Sequence, residues 1–152
     1  NQEAGVQPEL PNNLKANELA ANLEREGLVT PEMLITALSQ GEVSLFLALF
    51  SRLTGIREYL AKRILFEPGG EGMAICCKAV GLTKDEFAQI FRYSQLVRAR
   101  RTDRIEEALA DIIWIYEDMS REAAAGVLKT WRRNTGYLSA IRQIQSATRR
   151  NA

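Results

Sequence analysis

The chain is 152 residues long, 46% hydrophobic and 26% charged, the balance of one globular domain with room for a real core. Its net charge is +1 and it contains no histidine. That absence removes His-based acid–base catalysis, Ser-His and Cys-His triads, and most zinc and iron sites. No apolar run approaches the roughly 20 residues that span a bilayer.

Residues 1–11 hold two prolines, a glycine and mostly polar neighbours. They read as a flexible lead-in, without the basic start and apolar core of a signal peptide. Asn12 or Asn13 can cap a first helix that runs through Leu19 and Leu23 to Gly27. Thr30-Pro31-Glu32 starts the next, with a capping hydroxyl, proline at the first helical position and an acid near the positive end. Its inner stripe is Leu34, Ala37 and Leu38, and Gly41 ends it. Val43, Phe46, Leu47, Phe50 and Leu53 then keep helical spacing, while Leu45 and Leu49 add a second apolar side. A helix apolar most of the way round is central and buried.

Ile56, Leu60 and Ile64 line a further helix that Pro68-Gly69-Gly70 stops. Met73, Cys76, Cys77 and Val80 form one helical face ending at Gly81. The two cysteines are adjacent, unsuited to a structural disulfide, and point to a reducing compartment. Thr83-Lys-Asp-Glu86 is a capping box for a longer helix using Phe87, Ile90, Phe91 and Val97. Thr102 or Asp103 can cap the next, with Ile105, Leu109, Ile112, Ile113 and Tyr116 inside. The run Ile112–Tyr116 has high β propensity, but the 3.6-residue period before it favours helix. Ser120 starts a helix through Ala124, Val127, Leu128 and Trp131, and after Gly136 a last one uses Leu138, Ile141 and Ile144.

The Gly-Leu/Ile junctions at 27, 55 and 81 recur at 28 and 26 residues, and Gly27-Leu-Val-Thr-Pro-Glu32 echoes Gly81-Leu-Thr-Lys-Asp-Glu86. The expectation is an all-α fold of seven to nine short helices in a compact, orthogonal, repeat-like (HEAT-like) bundle. One domain would cover 12–147, with 148–152 as a frayed tail.

The stretch from Gly27 to Leu82 also resembles the mostly alphaproteobacterial domain-of-unknown-function family 2336, in its C-terminal helical region. The likeness lies in Leu28-Val-Thr-Pro-Glu-Met-Leu34, Ala37-Leu38 and the Gly41 turn into the phenylalanine-rich helix. It continues through Leu53-Thr-Gly-Ile56, Pro68-Gly-Gly-Glu-Gly72 and Lys78-Ala-Val-Gly-Leu82. The chain departs from the usual pattern at Phe66-Glu67, where members carry a basic or histidine-containing segment, and at Cys77, where they carry an aromatic residue. The resemblance implies a helical, repeat-like architecture and no established activity.

Charge is polarised along the chain. Residues 1–91 carry 8 basic and 12 acidic groups, and residues 92–152 carry 12 basic and 7 acidic ones. Arg98, Arg100, Arg101 and Arg104, with Arg92 upstream, could grip phosphates or an acidic helix, or could be a solvated helix end. Lys129, Arg132 and Arg133 beside Trp131 form a second basic zone that could stack and hold single-stranded nucleic acid, though Trp131 also fits a core stripe. Trp114, Ile115 and Tyr116 add apolar surface beyond one stripe and mark a partner or dimer face. Cys76 and Cys77 read as buried and inert, and Pro68–Gly72 as a connector. It lacks the lysine and preceding strand of a phosphate loop.

No residue set composes a catalytic, metal or cofactor site. The leading expectation is a non-enzymatic cytoplasmic adaptor or regulatory domain that binds another protein, or itself, through Arg98, Arg100, Arg101, Arg104, Arg132, Arg133, Trp114 and Tyr116. The alternative is a binder of nucleic acid or a nucleotide second messenger through the arginines.

Overall fold

Eight helices and no strand make up the described residues, 9–99 and 104–133, of a computed structural model. They are α1 (Glu9–Arg25), α2 (Pro31–Ser39), α3 (Val43–Thr54), α4 (Glu58–Leu65), α5 (Glu71–Ala79), α6 (Lys84–Ala99), α7 (Ile105–Asp118) and α8 (residues 121–133). The run Ile112–Tyr116 is helical, as its periodicity requires. None of these helices is long and apolar enough to cross a membrane. The expected last helix after Gly136, the tail 148–152 and the caps Thr102 and Asp103 lie outside the described residues.

The starts follow from local chemistry. The Thr30 side chain accepts the Met33 N–H at 3.2 Å, with Pro31 first in α2. Thr83 and Glu86 form the reciprocal capping box: Glu86 accepts the Thr83 N–H at 2.8 Å and Thr83 Oγ1 accepts the Glu86 N–H at 3.1 Å. Ser120 Oγ accepts the Ala123 N–H at 3.0 Å and opens α8. The first helix is the exception. It begins at Glu9, so Asn12 and Asn13 lie within the helix and not at its N-cap position, and residues 9–11 are helical and not lead-in. Pro11 is its third residue, where a missing N–H costs no hydrogen bond.

The core is centred on α3, which packs against α1, α2 and α4. Phe46, Leu49 and Phe50 are fully buried, and the two phenylalanine rings stack 5.4 Å apart. Both apolar sides of α3 are therefore satisfied inside the fold; Leu45 is half-buried against the core. The neighbours repeat. Helices α1 and α2 pack on α3 as α5 and α6 pack on α7, and α2 lies against α6 to join the two sets. The turns repeat as well: the Leu28 N–H bonds to the Leu23 carbonyl at 2.8 Å and the Leu82 N–H to the Cys77 carbonyl at 3.0 Å.

Helix α8 ties these halves together. Its Arg132 Nε donates to the Thr54 carbonyl at 2.6 Å, at the end of α3, and its Arg121 Nε donates to the Ala79 carbonyl at 3.3 Å, at the end of α5. The eleven-residue separation is about three turns, which puts both arginines on one face. Each crosses a glycine in the left-handed region, Gly55 (φ 82°) and Gly81 (φ 90°). A methyl on Gly55 would lie 2.7 Å from Arg132 Nε, and one on Gly81 3.1 Å from the Arg121 guanidinium. The positive φ favours glycine at both positions, and any side chain there would also push the overlying arginine aside.

Candidate functional site

Helix α7 divides its apolar residues between two faces. Leu109, Ile112 and Tyr116 point into the core, while Trp114 is 69% exposed and Ile115 38% exposed. Helix α8 turns Ala124 and Leu128 inward and leaves Val127 at its edge, 37% exposed. Between the two helices runs an open cleft of about 290 Å³ lined by Ile75, Trp114, Ile115, Met119, Ala124 and Val127, with Asp118 at its rim. Asp111, exposed and two helical turns before Asp118, falls on the same side of α7. A wide aromatic ring beside small and branched aliphatic side chains suits insertion of one or two apolar anchors from another helix.

Tyr116 is not part of this surface, contrary to its grouping with Trp114. It is 2% exposed, its hydroxyl donates to the Leu82 carbonyl at 2.5 Å, and its ring stacks on Phe87 at 4.4 Å. The Lys78 ammonium lies 4.8 Å from the ring centroid. Burial, with smaller contributions from Cys77 and Glu86, holds the phenol above its ordinary range. Two residues are 200° apart on a helix, so Trp114 and Tyr116 take opposite faces.

The expected arginine sites fall into different environments. Arg98 donates to Gln95 and leaves its buried Nε unpartnered, whereas Arg104 is exposed at the N-cap of α7 with φ 69°. Arg92 forms a two-pronged pair with Glu106 at 2.8 and 3.2 Å, which raises its pKa and lowers that of Glu106. Arg132 is committed to the end of α3, and Arg133 is exposed. Arg100 and Arg101 lie outside the described residues. Trp131 is half-buried against the core.

Cys76 and Cys77 are both buried and unpaired. Burial pushes the Cys76 thiol up to about 12 and Cys77 well above its ordinary value, so neither is a nucleophile near neutral pH. Among the described residues no group of His, Cys, Asp and Glu could hold a metal ion.

Sequence reasoning located Trp114 and Ile115 but not their neighbours. Val127 reads as an inner residue, because a stripe of Ala124, Val127, Leu128 and Trp131 has the right period. Among the described residues helix α8 has one covered side, and its rotation is set by Arg121 and Arg132 reaching carbonyls distant in sequence. Ile75 lies off the Met73–Val80 face and carries no signal of its own.

The family model for domain-of-unknown-function family 2336, described as an uncharacterised protein conserved in bacteria, matches residues 3–129. No curated protein and no solved structure matches the chain.

Proposed function

The chain belongs to this bacterial family, and on that premise we propose that it is a non-enzymatic interaction domain that seats an amphipathic helix of a partner protein between α7 and α8. The carrying observation is the cleft itself, an apolar channel beside a 69%-exposed tryptophan. Tryptophan is costly to leave in water and is enriched among the residues that dominate binding energy. Asp111 and Asp118, on one side of α7, favour a partner helix with basic residues flanking its apolar anchors. A sequence without histidine, with its two thiols buried and unpaired, supports a binding role in the cytoplasm over a catalytic one.

The test is affinity capture from bacterial lysate, treated with nuclease, on the wild-type chain and on Trp114→Glu and Val127→Glu. A protein retained by the wild type and lost by both variants, with thermal stability unchanged, supports the assignment. Equal retention by all three chains refutes it, and retention that vanishes with nuclease shifts the assignment to nucleic acid.

A further inference from the structure

We infer that the helix seated between α7 and α8 is α4 of a second copy of this chain, in a two-fold pair that makes the contact twice. The inference rests on the docking role of the groove and names the partner.

Helix α4 carries an exposed apolar stripe of its own. Tyr59 is 70% exposed, and Phe66, at the C-cap, is 38% exposed. Seven residues apart, they stand two turns along one side of the helix. Lys62 and Arg63, both exposed, flank the stripe, and the Arg63 guanidinium lies 5.9 Å from the Tyr59 ring centroid. Residues 59, 62, 63 and 66 fall at i, i+3, i+4 and i+7. Those are the four corners of the hole that receives one side chain when helices pack knobs-into-holes. Two aromatic rings and two cations form its rim. Of the adjacent acids, Glu58 stands in the first turn, before the hole, and Glu67 is turned aside to accept the Gly72 N–H at 3.0 Å.

Helix α7 presents the matching knob. Trp114 stands between Asp111 and Asp118, about one turn to either side, with Glu107 two turns before it, and all three acids are exposed. With Trp114 seated in the hole, its indole meets two aromatic rings and two cations. The two aspartates then lie within a turn of Lys62 and Arg63, inside the reach of those long side chains. Among the described residues no ion pair engages Lys62, Arg63, Asp111 or Asp118, which leaves all four charges to a neighbour.

Knob and hole lie at opposite ends of one trough. Ala123, Val127 and Trp131 follow one another at i, i+4 and i+8 along one edge of α8, and Gly72 and Ile75 lie a turn apart on α5. Ile75 and Val127 line the groove beside Trp114, while Gly72 and Trp131 line a second cleft, of about 400 Å³, with Leu60 and Arg63 of α4. A two-fold axis across the middle of the trough exchanges its ends, so α4 of each copy comes over α7 of the other.

Charge exchange tests this on the full chain, read by sedimentation equilibrium. Two helix-on-helix contacts make a small, transient interface, so the mass should rise from one chain to two between about 1 and 200 µM. Asp111→Lys with Asp118→Lys, and separately Lys62→Glu with Arg63→Glu, should each weaken the pairing about tenfold or more. An equimolar mixture of the two variants should regain it, because both contacts of the mixed pair unite opposite charges. That recovery also shows that both variants fold.

A wild-type mass of one chain throughout overturns the inference, as does a dimer that survives either exchange, a mixture that stays monomeric, or a mass that climbs past two chains. If the wild type is monomeric and Trp114→Glu still abolishes capture of another protein, the docking role stands and the second copy is not its partner. If Trp114→Glu changes neither mass nor capture, the docking role itself has failed.

Discussion

Tyr116→Phe isolates a single hydroxyl in a place where everything else is retained. The phenylalanine ring keeps the 4.4 Å stack on Phe87, so packing changes little. What is lost is the 2.5 Å bond to the Leu82 carbonyl, inside a site only 2% exposed. A net hydrogen bond is worth about 1 kcal/mol, and an unsatisfied buried acceptor about 1–3 kcal/mol. The Leu82 carbonyl can relax slightly, so the expected cost is about 1–2 kcal/mol. Urea unfolding followed by circular dichroism should show a lower midpoint with an unchanged slope. Trp114→Ser, two residues away, removes a larger side chain from an exposed position and should alter stability by no more than about 0.5 kcal/mol. A neutral Tyr116→Phe together with a destabilising Trp114→Ser would mean that α7 is rotated, and the groove with it.

Two further outcomes follow from the same packing. Gly55→Ala must hold φ near 82° and displace Arg132, and should cost about 1–3 kcal/mol. In the Arg132→Ala background that cost should fall, and additive losses in a double-mutant cycle would disprove the contact. Stability should also decline as pH rises above 9. The folded chain holds protons on Cys76 and Cys77 beyond their ordinary 9.0, and on Tyr116 beyond its ordinary 10.0. The unfolded chain releases these protons first, so the stabilisation is complete below pH 9 and is lost as pH climbs through the raised values. Each group adds about 1.36 kcal/mol per pH unit to the slope while only the unfolded state is deprotonated. A pH-independent stability between 9 and 11 would contradict the burial of all three.

Elements whose cause is local were legible from sequence. Thr30-Pro31 and Thr83-Glu86 act through atoms three residues apart, and their side chains bond as the spacing requires. The phenylalanine-rich α3 could only be central, since no surface accommodates Phe46, Leu49 and Phe50 together. The candidate site was half legible. Trp114 and Ile115 exceed the width of one stripe, which periodicity detects, but Tyr116 has the same residue class and the opposite fate. Its bond to Leu82, 34 residues away, decides the matter. The arginines were the least legible. Arg132 and Arg121 look like solvated charges until the carbonyls of Thr54 and Ala79 are brought beneath them. The recurrence also proved longer than the 26–28-residue echo. Neighbour relations recur between α1–α3 and α5–α7, so the unit spans the distance from Gly27 to Gly81.

The bridging of two distant carbonyls by helix α8 bears on how the fold comes apart. Stacked helical units joined only to their neighbours can unzip from an end, one at a time. Here α8 grips the last turn of an early unit and of a later one, so neither can fray without releasing an arginine from both its carbonyl and its glycine seat. The molecule is latched like a clasp, and losing α8 would convert one cooperative transition into two.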